Sequence, residues 1–122
     1  MTTVLMVEDS PTISHLLAEA LLKKGYEVLE ANDGEEALRM ADDQQPDVIL
    51  LDVILPKLNG YQVCRQLKAD HKTSVIPIIM ITSKNQEKDR EWGMKQGADV
   101  YLTKPINAEE LITALEQVLA SD

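Results

Sequence analysis

Short apolar runs alternate along this chain with longer stretches of helical spacing. Thr3–Val7, Glu27–Ala31, Val48–Leu51, Ile78–Ile81 and Val100–Leu102 are rich in aliphatic or β-branched residues and have turn-forming or polar residues nearby, which predicts five strands. Between them, Ile13, Leu16, Leu17, Ala20 and Leu21 fall at i, i+3, i+4, i+7 and i+8, giving a first helix one apolar face. Ser10-Pro11 supplies its N-cap and first-turn proline, and Gly25 its stop. Ala37, Leu38 and Ala41 mark a second helix from near Asp33-Gly34 to before Pro46, and Val63 and Leu67 a third opened by Asn59-Gly60. Leu111, Ile112, Leu115 and Leu119 mark the last, with Asn107 as N-cap. The fourth, about Gln86 to Gln96, is different: Lys88, Asp89, Arg90, Glu91 and Lys95 dominate it, and Trp92 and Met94 are its only large apolar residues. With so little apolar area to hold it, this helix is expected to shift most easily.

Strand–helix alternation repeated five times predicts a doubly wound α/β fold, a parallel sheet with helices on both faces. Strands of Val, Ile and Leu without polar alternation suit a sheet covered on both sides. The 122 residues make one domain, expected to run 1–122, with a 44% apolar content that argues against disorder. No Phe and a single Trp leave the interior to aliphatic side chains. No apolar run is long enough to span a bilayer, and Met1-Thr2-Thr3 lacks the features of a signal peptide, so a cytoplasmic location is expected. Cys64 stands alone, which excludes an internal disulfide and a cysteine-based zinc site. A net charge of −9 argues against a nucleic-acid partner and favours either a basic protein partner or a bound cation.

The cation reading gains weight from where the polar residues fall. Glu8-Asp9 follows the first strand, Asp52 the third, Thr82-Ser83 the fourth and Thr103-Lys104 the fifth. Sites in open α/β sheets form at these carboxyl ends. Three carboxylates gathered there repel one another by about 4 kcal/mol per pair at ~4 Å and an effective dielectric near 20. A divalent cation relieves that repulsion, and hard oxygen donors without His or Cys suit Mg²⁺. Lys104 adds a charge able to pair with Asp52 or with an oxygen attached to it, and Thr82 adds a hydroxyl donor. An aspartate, a metal, a lysine and a hydroxyl are the parts that stabilise a transferring phosphoryl group.

VEDS at 7–10, LLDVILPKLNG at 50–60, ITS at 81–83 and YLTKP at 101–105, at these spacings, resemble the bacterial response-regulator receiver domain over essentially the whole chain, and are similar to the chemotaxis regulator. The resemblance implies a five-stranded sheet of order 2-1-3-4-5 with five helices, so that the first and third strands lie side by side at the switch in strand order. It implies that Asp52 is the phosphoacceptor, served by a sensor histidine kinase, and that the protein catalyses its own phosphorylation and dephosphorylation. Asp9 would ligate Mg²⁺ directly, Glu8 through water, and Asp52 and the Ile54 backbone carbonyl would complete the protein's share. Thr82 and Tyr101 match the switch pair, and Lys104-Pro105 the lysine and its cis peptide. A face built from the fourth helix, fifth strand and fifth helix would control an unidentified downstream protein, the chain being a monomer or a phosphorylation-dependent homodimer. EWGMKQGADVYLTKP at 91–105 and NGYQVCRQLK at 59–68 further resemble receivers of type IV pilus, twitching-motility and cyanobacterial phototaxis systems. Ile54 and Lys84 differ from the chemotaxis prototype at positions that tune how water reaches the acyl phosphate.

Plainer roles compete for several of these residues. Glu8 and Asp9 also suit the positive end of the first helix, and Thr82-Ser83 also suit a cap on the fourth. Cys64 reads as a small core residue, Trp92 as a packing or partner residue, and His15 and His71 as lying away from the acidic cluster. As a whole, the competing classes are a phosphorylation-independent interaction module, a phosphate sink, a transcription factor and a flavodoxin-like cofactor carrier. Glu8-Asp9 would repel the phosphate that the last of these must hold.

Overall fold

A computed structural model of the protein describes residues 1–120. Its elements run β1 (Thr3–Val7), α1 (Pro11–Lys23), β2 (Glu27–Ala31), α2 (Gly34–Gln44), β3 (Val48–Leu51), α3 (Gly60–Ala69), β4 (Ile78–Thr82), α4 (Glu87–Gln96), β5 (Val100–Thr103) and α5 (Ala108–Ala120). All strand pairs are parallel and their order is β2-β1-β3-β4-β5, the doubly wound arrangement expected.

Successive side chains of a strand point to opposite faces, and the two layers of core divide accordingly. Leu5, Val7, Ile49, Leu51, Ile78 and Met80 face Ala37 and Ala41 of α2 and Val63, Cys64 and Leu67 of α3. Val4, Met6, Val48, Leu50, Ile79 and Ile81 face Leu17 and Leu21 of α1 and Leu111, Ile112 and Leu115 of α5. The central strands β3 and β4 are buried at every position, as a sheet covered on both sides requires.

Local signals set the helix starts. Ser10 accepts from the Ile13 amide and Asp33 from the Glu36 amide, while Asn59 and Gln62 form a reciprocal capping box, as do Asn107 and Glu110. The expected strand ranges hold, except that β4 and β5 each run one residue further, where Thr82 pairs with Thr103. The first helix buries a different stripe from the one its leucines suggest. Ser14, Leu17 and Leu21 turn inward, whereas Leu16 is 62% exposed. The Ser14 hydroxyl donates to Glu30 Oε1 at 2.6 Å, so a small polar residue faces β2 and the helix turns Leu16 outward. In α4 only Gly93 is buried, so the fourth helix is the loosely packed one.

Candidate functional site

Backbone pairing carries the chemistry-bearing residues past the ends of the strands. The Glu8 amide donates to the Ala31 carbonyl at 3.2 Å, extending β1 along β2, and the Asp52 amide donates to the Val7 carbonyl at 3.1 Å, extending β3 along β1. The Lys104 amide donates to the Thr82 carbonyl at 2.8 Å, extending β5 along β4. Residues far apart in the chain are thereby fixed at the carboxyl end of the sheet, where strand order reverses between β1 and β3. On the other side of Asp52, α3 approaches so closely that a Cβ on Gly60 would collide with the Asp52 carbonyl.

At the centre the Lys104 ammonium donates to Asp52 Oδ2 at 2.7 Å and to Glu8 Oε1 at 2.8 Å. Asp52 and Glu8 are each only 5% exposed. Their second oxygens are held by backbone donors: the Ile54 amide reaches Asp52 Oδ1 at 3.0 Å, and the Ser10 amide reaches Glu8 Oε2 at 3.2 Å. Burial raises the Glu8 pKa; the Lys104 hydrogen bond opposes that rise and the Asp52 charge adds to it. For Lys104, burial works to lower the pKa, but the hydrogen bonds to Asp52 and Glu8 outweigh it and the net shift is upward.

The other expected residues are placed less uniformly. The Asp9 side chain is exposed and has no hydrogen-bond or ion-pair partner among the described residues; it lines a cleft of about 250 Å³ with Glu8, Ser14, His15 and Glu30. His15 therefore does not lie away from the acidic cluster as its sequence position suggests, because α1 starts directly after β1 and its second turn folds over the cleft. Thr82 is fully buried and its Oγ1 accepts from the Lys84 amide at 3.4 Å, so it caps this turn and not α4, whose first turn begins beyond Gln86. Tyr101 is half-buried and donates to the Lys84 carbonyl at 2.9 Å, so Thr82 and Tyr101 grip the same residue from opposite ends of its backbone. Lys104-Pro105 is a cis peptide. Ile54 is 52% exposed beside the site, and Cys64 is buried in the core.

No three Asp, Glu, His or Cys side chains are grouped to hold a metal among the described residues. The donor chemistry nonetheless fits a hard cation. Glu8, Asp9 and Asp52 set three carboxylates against the one ammonium of Lys104, leaving two negative charges at the strand ends, and all three offer hard oxygen donors. Lys104 supplies the positive charge between Glu8 and Asp52, while the Asp9 side chain is exposed.

Two contributors escaped the sequence reading. Gly60 is legible as the residue after a helix cap, but its tight fit against Asp52 is visible only in three dimensions. Tyr61, the next residue, donates from its hydroxyl to the Asp89 carbonyl in α4 at 3.1 Å; nothing in the α3 pattern marks it.

Comparison with known proteins places the chain in a family and supports the fold. Residues 4–116 match the response regulator receiver domain family. Protein PilH of Pseudomonas aeruginosa is 46% identical over 120 residues, 98% of this chain and 99% of PilH, whereas the chain spans about half the length of other curated relatives it matches. A crystal structure of a putative response regulator from Chloroflexus aurantiacus superposes with a TM-score of 0.94 at 35% identity, covering 98% of both chains. The receiver domain of the sensor histidine kinase PA1611 of Pseudomonas aeruginosa superposes with a TM-score of 0.92 at 35% identity, again over 98% of both chains, and has a magnesium ion coordinated in its active-site cleft.

Proposed function

The chain belongs to the response regulator receiver domain family, and from that premise we propose that it is a single-domain phosphorylation switch with Asp52 as its phosphoacceptor and a sensor histidine kinase as its phosphodonor. The observation that carries this is the setting of Asp52: a nearly buried carboxylate at the strand-order switch, with one oxygen oriented by the Ile54 amide and the other by Lys104.

In the reaction, a carboxylate oxygen of Asp52 attacks the phosphorus of a phosphohistidine in line. The new P–O bond forms as the P–N bond breaks, and the imidazole leaves with the electron pair and takes up a proton. Lys104, already 2.7 Å from the attacking carboxylate, pairs with a phosphoryl oxygen as charge passes to it. Glu8 through water, Asp9, Asp52 and the Ile54 carbonyl would hold Mg²⁺, which supplies charge neutralisation at the phosphoryl oxygens when bound. The product carries roughly two negative charges and three acceptor oxygens. The Thr82 hydroxyl turns to one of them, which loosens its hold on the Lys84 amide and lets Tyr101 repack against α4, β5 and α5, the face that meets a downstream protein. Moving the active form from 1% to 99% requires the phosphoryl group to favour it by ~5.5 kcal/mol, within reach of a few charge-assisted hydrogen bonds.

The likeness to PilH over nearly the whole of both chains supports the pilus-related subgroup that segments 59–68 and 91–105 resemble, and hence a role in pilus-based motility or taxis. No helix among the described residues is long and apolar enough to cross a membrane. A small phosphodonor with Mg²⁺ should label the wild-type protein and leave Asp52→Asn unlabelled. Mg²⁺-dependent labelling that persists in the variant would remove Asp52 from its role.

A further inference from the structure

The two ends of α4 are held by different kinds of contact. At the C-terminal end, side chains of α3 grip the helix. The Cys64 thiol meets the Gln96 carbonyl at 3.5 Å, Arg65 Nε donates to Gln96 Oε1 at 3.0 Å, and the Lys68 stem packs against Gly97. Beyond it, Ala98 is buried and Asp99 is tied to Ile78 through both its amide and its carboxylate. Toward the N-terminal end, α4 and the turn leading into it are tied to the rest of the fold by two phenols. Tyr61 of α3 reaches the Asp89 carbonyl at 3.1 Å, and Tyr101 of β5 reaches the Lys84 carbonyl at 2.9 Å. Between the two ends, Gly93 leaves room for the Tyr101 ring, which a Cβ there would strike at 2.8 Å.

We propose that Tyr61 is a positioning residue of the switch: with Tyr101 it latches the N-terminal half of α4, and the helix pivots about its Gln96–Asp99 anchor when the latch opens. This rests on the phosphoacceptor reading for its link to Asp52. The Lys84 backbone is the connection, since its amide donates to Thr82 and its carbonyl accepts from Tyr101. Release of Lys84 at the site frees one phenol. Tyr61 then remains as the bond that opposes the swing, so it sets how far the equilibrium favours the latched form. By reciprocity, a latch that stabilises this form weakens the binding of whatever favours the other.

Tyr61→Phe keeps the ring and deletes only the hydroxyl. In the full chain without phosphodonor, hydrogen exchange of amides in the first two turns of α4 should speed up roughly fivefold, the factor of one neutral hydrogen bond, while Gln96–Asp99 and the other helices keep their rates. With Mg²⁺ and beryllofluoride as the phosphoryl mimic, the variant should bind the mimic about two- to fivefold more tightly than wild type. Exchange that rises across the whole protein, or does not rise in α4, would overturn the latch. Unchanged beryllofluoride affinity beside wild-type binding would overturn its coupling to the site. Failure of the wild type itself to bind the mimic would instead count against the phosphoacceptor reading, and the exchange arm would still decide the latch.

Discussion

Cys64 shows how much one buried group reports about its surroundings. The thiol is fully buried in the α3 face of the core, and desolvation pushes its pKa from an ordinary 9.0 up to about 11. Above the ordinary value the unfolded chain loses the thiol proton while the folded chain keeps it, so stability falls as pH rises through this window, by on the order of 2 kcal/mol in all. Below the window both states are protonated and nothing is lost. Cys64→Ala leaves a small cavity at every pH but lacks this loss. The stability gap between wild type and variant, measured by urea unfolding, should therefore narrow between about pH 8 and about pH 10.5. A gap that stays constant would show that the folded thiol ionises like the unfolded one. Lys104 is the contrasting case, a charged group made tolerable in a largely buried setting because two carboxylates each accept a hydrogen bond from it.

Among the elements, α3 has the tightest dependence on a single small residue. Gly60 opens the helix where its backbone abuts Asp52 and Val53, and its amide donates to the Val53 carbonyl at 2.8 Å. Gly60→Ala should push α3 off the end of β3, with a loss of about 1–3 kcal/mol in urea unfolding and slower labelling of Asp52 by a small phosphodonor. Normal labelling with lowered stability would mean that α3 yields without moving the site. The elements themselves were legible because strand runs, caps and helical stripes agree with one another: Ser10, Asp33, Asn59 and Asn107 all cap where expected. The rotation of α1 was not legible, because Leu16 and Leu17 fit a helical stripe equally well and only the Ser14–Glu30 bond and the sheet choose between them. The pairing of Lys104 with Asp52 was legible from strand ends together with the strand order that the resemblance implies, but the second bond from Lys104 to Glu8 was not. The tie from Tyr61 to α4 was not, since it joins a side chain to a backbone atom and leaves no pattern in residue type.

At the scale of the whole molecule, a net charge of −9 and an uncompensated pair of negative charges at the strand ends favour cation binding by the folded state over the unfolded one. Mg²⁺ at tenfold over its Kd should stabilise the protein by about 1.4 kcal/mol, a rise of a few degrees in Tm. Asp9→Asn should remove most of that rise while leaving the metal-free Tm nearly unchanged, because the Asp9 side chain has no partner among the described residues. A variant that responds to Mg²⁺ as wild type does would take Asp9 out of the ligand set. The ammonium that joins Glu8 and Asp52 also has a temporal meaning. Its partners lie 96 and 52 residues away along the chain, and contacts of such separation form only after much of the chain has been ordered. During synthesis from the N-terminus, Glu8, Asp9 and Asp52 leave the ribosome long before Lys104 does. On the proposed reading, a nascent chain therefore carries Asp52 without the cation that steadies it, and labelling by a phosphodonor should begin only once β5 is in place.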